Sequence, residues 1–286
     1  MPASPKVGRY CRILLLVGSL IAAGCGVSAS PKKGVGTWDF PGVNRAVADV
    51  NVSWYYTWQP QPLPIQRPRA VEFVPMIWSE TFVKSRELEL AKESGSVLLG
   101  FNEPDRADQA NMTVEEALNL WPQLMATDLR LGSPAPADDP SLPESWLERF
   151  INGARERGYR VDFLAVHWYG DKFAIDEAVN TLKDFLQAVY QKFQLPIWLT
   201  EYSLIRWSDP PAYPSWEEQA EFAEKSVEML ERLPFVERYA WYSLPPWWTN
   251  DSSETTALYY QNGEPTPVGI AYRRAGLKAG PLSSAR

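Results

Sequence analysis

The sequence predicts a single α/β domain folded as a (β/α)8 TIM barrel. Three observations lead there. Short apolar runs bounded by turn residues alternate with amphipathic stretches from about residue 35 onward; repeated β-then-α order implies a parallel sheet covered by helices. Eight such runs occur, at roughly 35–40, 50–57, 71–77, 97–103, 129–134, 161–168, 196–202 and 236–243, the strand number of that barrel. A chain of 286 residues, 45% hydrophobic, has the length for one large domain of this kind.

Taken in order, residues 1–30 read as an export leader and 31–286 as the folded domain. Lys6, Arg9 and Arg12 form a basic opening, and Ile13 to Ala23 is apolar but too short to span a bilayer comfortably. Ala22-Ala23-Gly24-Cys25 resembles a lipobox, which would make Cys25 the lipidated first residue of a lipoprotein anchored to the bacterial cell envelope. Val27-Ser28-Ala29 offers a cleavage site for plain secretion instead. The Pro-, Lys- and Gly-rich stretch 31–36 reads as a linker.

The clearest strand is Val97-Leu98-Leu99-Gly100-Phe101-Asn102-Glu103-Pro104. Its apolar run fits burial on both faces, and Pro104 ends it because proline cannot donate to a ladder. Pro196-Ile197-Trp198-Leu199-Thr200-Glu201-Tyr202 repeats the design. Thr113-Val114-Glu115-Glu116 and Ser215-Trp216-Glu217-Glu218 are capping boxes, opening helices to about Ala126 and Leu233. Apolar spacing predicts further helices over 80–93, 143–157 and 176–193. The Pro-rich 57–70 reads as a loop. Residues 257–265 read as a strand that turns at Asn262-Gly263 and serves packing, with a closing helix from Thr266.

Composition narrows the function. A net charge of -7 argues against nucleic acid as a partner, because its phosphates reward clustered Lys and Arg. Cys11 and Cys25, the two cysteines, both fall in the leader, so the domain has no thiol nucleophile and no internal disulfide. His167 is the single histidine, which rules out a multi-histidine zinc site and any Ser-His-Asp triad without it. Thirteen Trp and thirteen Tyr suit a cleft that lays aromatic faces against sugar rings.

In a barrel the strand C-termini converge on one mouth, where such enzymes keep their chemistry. That places Glu103 and Glu201 together as candidate catalytic residues. Asn102, His167, Tyr169, Trp54, Tyr56, Trp78, Trp168, Tyr202 and Trp241 become candidate substrate-binding residues. Trp58 and Tyr242 also fall at strand ends. Either glutamate alone could be a salt-bridged strand-end carboxylate; two in matching contexts, ringed by aromatics, suit glycosidic bond hydrolysis. One carboxyl must be protonated for the leaving oxygen and the other ionised for the anomeric carbon, and neighbouring carboxyls split their pKa values in that sense. Such a pair would stand about 5 Å apart for retention of configuration. Asp105 and Asp108 are expected to cap the next helix rather than tune the acid, and Glu217, Glu218 and Glu224 to be solvated. Trp121, Trp146 and Trp216 are expected in the core, and Trp198 beneath the site.

Leu98-Leu99-Gly100-Phe101-Asn102-Glu103-Pro104-Asp105 resembles the acid/base strand of the Asn-Glu-Pro clan of retaining glycosidases. More narrowly, the chain is similar to glycoside hydrolase family 128, the glycosyl hydrolase catalytic core group. That likeness rests on Val52-Ser53-Trp54-Tyr55-Tyr56-Thr57-Trp58, Phe73-Val74-Pro75-Met76-Ile77-Trp78, Arg130-Leu131-Gly132-Ser133-Pro134-Ala135, Ala165-Val166-His167-Trp168-Tyr169-Gly170 and Trp198-Leu199-Thr200-Glu201-Tyr202. The resemblance implies a β-1,3-glucanase working by double displacement with retention, for which endo action is expected here although some relatives prefer chain ends. The mechanism itself needs no metal or organic cofactor, and the chain is expected to be a monomer. Glu103 would be the acid/base, Glu201 the nucleophile, and Asn102 the partner of the sugar 2-hydroxyl. Tyr202 stands where many relatives have Phe. Two other readings share the barrel: a non-catalytic β-1,3-glucan-binding protein, and a clan member acting on other linkages, such as a β-1,4-glycanase.

Overall fold

The first strand, β1 (Lys33–Gly36), lies between the second, β2 (Trp54–Tyr56), and the last, β8 (Val236–Trp241). The structure is a computed structural model and describes residues 29–66, 68–247 and 254–277. The leader with Cys11 and Cys25 lies outside them. One parallel sheet runs β3 (Glu72–Phe73), β2, β1, β8, β7 (Ile197–Leu204), β6 (Leu164–Gly170). A second pairs β4 (Val97–Leu98) with β5 (Arg130–Leu131). Parallel bridges Met76↔Leu99 and Gly132↔Phe163 tie the segments after β3 and β5 to those of β4 and β6. All eight expected strands are present as one parallel α/β domain.

The stretch 31–36 is no linker. Lys33–Gly36 is a fully buried strand, paired on both sides. Its glycines are required by close approach: a Cβ on Gly34 would sit 2.3 Å from the Trp54 ring, and one on Gly36 2.7 Å from the Trp58 ring. Lys33 is 0% exposed. Its Nζ donates to the carbonyl oxygens of Tyr272 and Ala275 and lies 4.5 Å from the Tyr272 ring centroid. Burial pulls its pKa down to about 7, with the Glu231 charge resisting.

Helices follow the strands. α1 (Val43–Asp49) was not foreseen; it starts at Gly42 with no side-chain cap, so it carries no start signal. The expected helix over 80–93 is a 3-10 turn (Glu80–Phe82) and α2 (Ser85–Ser94), broken at Val83-Lys84. α3 (Val114–Met125) and α6 (Trp216–Arg232) begin at the Thr113 and Ser215 capping boxes, with both reciprocal hydrogen bonds made. α4 (Trp146–Glu156), α5 (Ile175–Phe193) and α7 (Pro267–Arg274) complete the set. The tail forms a single antiparallel bridge, Tyr259↔Pro265, around Gly263 at φ +79°. It packs through buried Tyr259, whose hydroxyl donates to Asp49 over 2.8 Å.

Strand alternation splits the core in two. Trp54, Tyr56, Met76, Leu99, Phe163, Trp198 and Ala240 form a cluster of strand and strand-flanking residues alone. Tyr55 and Trp241, one residue out of phase, pack with helix residues instead, and so does Tyr202, which a register slip between Leu199 and Glu201 turns away from the face of Trp198. This corrects two expectations. Tyr202 meets Phe222 and Tyr239 at ring separations of 6.2 Å, and Trp241 donates to the Thr256 carbonyl over 2.7 Å. Both are 0% exposed. Trp121 and Trp146 are buried as expected, whereas Trp216 is half-buried against Tyr260. Glu217, Glu218 and Glu224 are exposed.

Candidate active site

The site stands on a floor of stacked rings. Trp198 lies 4.3 Å from Phe163 and 5.3 Å from Trp54 between ring centroids. Trp54, expected to touch substrate, is part of this floor: it is 0% exposed and its indole N–H donates to the Lys32 carbonyl at 2.9 Å. Above the floor, β6 and β7 pair Val166↔Leu199 and then His167↔Glu201. The register slip leaves Thr200 as an extra residue, a bulge of the kind found beside active sites, and it sets His167 next to Glu201. Glu103 comes in from the segment after β4, in the left-handed region at φ +41°, with its N–H bonded to the Ala135 carbonyl at 2.7 Å. Such strain in a non-glycine residue gathers at functional sites.

The two carboxylates meet. One ligand atom each from Glu103, His167 and Glu201 lie within 4.8 Å of one another. His167 Nδ1 is 2.9 Å from Glu103 Oε1, and its Nε2 is 3.4 Å from Glu201 Oε1. Glu201 also accepts from the Trp58 indole at 2.8 Å, from the Tyr169 hydroxyl, and from the Tyr56 hydroxyl at 3.3 Å. Tyr56 therefore holds Glu201 from behind and is 0% exposed.

Burial pushes the Glu201 carboxyl above the usual range, and the nearby Glu103 charge adds to it. The His167 charge and the Tyr169 and Trp58 hydrogen bonds pull the other way and favour the anion. Burial opposes charge on His167, but Glu201, Glu103 and Asp105 outweigh it and lift its pKa above the ordinary value. Burial, then the Glu201 charge, raises Tyr56 and Tyr169 far enough to keep both hydroxyls protonated as donors.

A cleft of about 820 Å³ opens over this cluster. Trp38, Trp58, Tyr242 and Trp247 form an aromatic wall; Trp247 meets Trp38 edge-on at 5.5 Å. Arg106, Asp108, Gln109 and Asp138 make a polar stretch. Asn102, Trp78, Trp168 and Tyr169 also line the cleft, and Trp207, 60% exposed, borders it. Asn102 Nδ2 donates to Gln109 at 3.3 Å. Asp105 caps no helix: its two oxygens accept from the N–H groups of Ala137 and Asp138, each at 2.9 Å, and so pin the loop that carries Asp138. Asp108 also caps nothing and lies 3.7 Å from Arg106. Trp58 and Tyr242 were within reach of sequence reasoning, since they share the alternation phase of Tyr56 and Ala240. Trp38 has the same signal, two residues beyond Gly36 in phase, whereas Arg106, Gln109, Asp138, Trp207 and Trp247 sit on connecting segments and carry no comparable one.

Known proteins resemble this chain over most of its length. Residues 39–272 match the family described as glycosyl hydrolase catalytic core. A GH128 subgroup I endo-β-1,3-glucanase from Amycolatopsis mediterranei, solved in complex with laminarihexaose, is 50% identical with a TM-score of 0.82, over 86% of this chain and 100% of that one. A GH128 subgroup II endo-β-1,3-glucanase from Sorangium cellulosum is 29% identical with a TM-score of 0.72, over 87% of this chain and 100% of that one. Alkali-sensitive linkage protein 1 of Schizosaccharomyces pombe is 28% identical over 86% of this chain, which spans 45% of that protein's length. The chain belongs to the glycosyl hydrolase catalytic core family, within glycoside hydrolase family 128.

Proposed function

We propose that this chain is a retaining endo-β-1,3-glucanase, with Glu103 as acid/base and Glu201 as nucleophile. The observation that carries the reading is the approach of their carboxyl groups, with oxygens within 4.8 Å. Retaining glycosidases hold theirs about 5–5.5 Å apart, and inverting ones leave room for a water at roughly 6.5–9.5 Å. Glu103 gives its proton to the departing glycosidic oxygen while Glu201 attacks the anomeric carbon. Glu103 then takes a proton from the incoming water, which displaces Glu201. Tyr169 and Trp58 fix the Glu201 oxygens for the attack and receive the returning carboxylate when the glycosyl-enzyme breaks down. The aromatic wall faces the C–H surfaces of the glucan, and Asn102, beside Glu103, takes the 2-hydroxyl. The likeness to endo-acting β-1,3-glucanases supports both substrate and internal cleavage.

The same reading covers what surrounds the site. Eight parallel strands, linked through Met76↔Leu99 and Gly132↔Phe163 and joined β1 to β8, support a (β/α)8 barrel of the Asn-Glu-Pro clan. The leader at 1–30 exports the protein, as an envelope lipoprotein if Cys25 is acylated, and the domain works as a monomer.

The test is product analysis on a linear β-1,3-glucan followed by NMR. Internal cleavage with the β-anomer appearing first is expected. First release of the α-anomer refutes retention. Tight oligosaccharide binding without any new reducing ends would instead identify a glucan-binding protein.

A further inference from the structure

We propose that the catalytic centre is also a binding site for a borderline divalent transition-metal ion, of the zinc or copper class, held by His167 Nε2 and the Glu201 carboxylate. His167 has a side chain 1% exposed, and its Nε2 is buried with no hydrogen-bond partner. Buried polar nitrogens are rarely left so. The nitrogen faces Glu201 Oε1 at 3.4 Å, without the alignment of a hydrogen bond. Two ligand atoms on one tetrahedral zinc, each bound at about 2.1 Å, stand roughly 3.4 Å apart. The spacing that makes a poor hydrogen bond is therefore that of one coordination edge.

The rest of the cluster fits a metal ligand. A ligating histidine usually gives its other ring N–H to a carboxylate, which fixes the tautomer and raises the basicity of the ligand nitrogen. His167 Nδ1 has that partner in Glu103 Oε1 at 2.9 Å. Trp58 and Tyr169 orient Glu201 in the same way. An imidazole nitrogen in the donor set selects zinc or copper over magnesium or calcium, which prefer oxygen alone. The ion is no cofactor. It occupies the electron pair with which Glu201 would attack, and so inhibits in competition with substrate; this second half rests on the hydrolase reading above, the binding does not.

The test uses the untagged full chain carrying Cys11→Ser and Cys25→Ser, labelled with 15N at histidine. Because His167 is the single histidine, the ring signals report one site. Titration with ZnCl2 is expected to bind one ion per chain by calorimetry and to shift the Nε2 resonance. MgCl2 should do neither, and saturating laminarihexaose should reverse both. With glucan as substrate, zinc at ten times its dissociation constant should raise apparent KM about 11-fold and leave kcat unchanged. His167→Gln should abolish one-to-one binding, and Glu201→Gln should weaken it at least tenfold. The proposal is overturned by an unmoved Nε2 resonance in the wild-type chain, or by full zinc affinity in a folded His167→Gln variant. Should the glucanase reading fail, the KM effect vanishes while the resonance shift and stoichiometry persist.

Discussion

Removing one oxygen from the site tests how Glu201 is kept ionised. Tyr169→Phe deletes the hydroxyl that donates to Glu201 Oε2 and leaves the ring, with its edge-on contacts to Trp207 at 5.3 Å and Tyr242 at 5.7 Å. Trp58 and Tyr56 still donate to Oε1. A hydrogen bond to a charged group contributes about 1.5–3 kcal/mol, equivalent to about 1–2 pH units of carboxyl pKa. The bond favours the anion, so its loss lifts the Glu201 pKa further. The acidic limb of kcat/KM, which reports the ionised nucleophile in the free enzyme, should move to higher pH by that amount. Above the limb the effect should be smaller, since Glu201 is charged in both proteins. The assay is a pH profile of laminarihexaose cleavage, with circular dichroism confirming the fold. An acidic limb that stays in place, or moves to lower pH, would refute this account of the site's electrostatics.

Other substitutions probe separate parts. Glu103→Gln should lower kcat by about 10²–10⁴ on glucan, the usual worth of a general acid, but far less on an aryl glucoside whose leaving group needs no proton. Trp247→Ala removes a ring 55% exposed at the cleft wall; an aromatic contact of about 1 kcal/mol predicts a KM roughly fivefold higher for laminarihexaose with kcat unchanged. Lys33→Met tests the buried amine. The wild-type amine falls from 10.5 to about 7 on folding, so its stabilising share is complete above pH 10.5 and drains away as pH falls toward 7. Urea denaturation should find the variant's advantage over wild type about 3 kcal/mol larger at pH 7 than at pH 9.5; an advantage independent of pH would mean the amine is not desolvated.

How much of this was legible depends on which physical rule writes the signal. Glu103 and Glu201 could be found because an apolar run ending in a carboxylate marks a buried strand reaching its mouth. Thr113 and Ser215 announced their helices because a capping box is local chemistry. Strand-end aromatics do not all face the mouth: alternation turns Trp241 toward the helices, and the slip at Thr200, which no residue type announces, turns Glu201 inward and Tyr202 outward. Trp54 has the correct phase but lies a layer too deep, which the phase alone does not encode. α1, opening at Gly42, has no cap to read, and glycines 34 and 36 look like a linker until the rings they accommodate are in place. Arg106 and Trp247 reach the cleft by loop paths that only the folded chain specifies.

The position of β1 between β2 and β8 has a consequence for biosynthesis. The earliest strand to be made cannot find its second neighbour until residue 241 exists, and the Lys33 amine lacks its carbonyl acceptors until Tyr272 and Ala275 have followed. A ribosome-bound intermediate therefore lacks the β1–β8 pairing almost to completion, and a product truncated before α7 would leave the Lys33 amine without its two carbonyl acceptors.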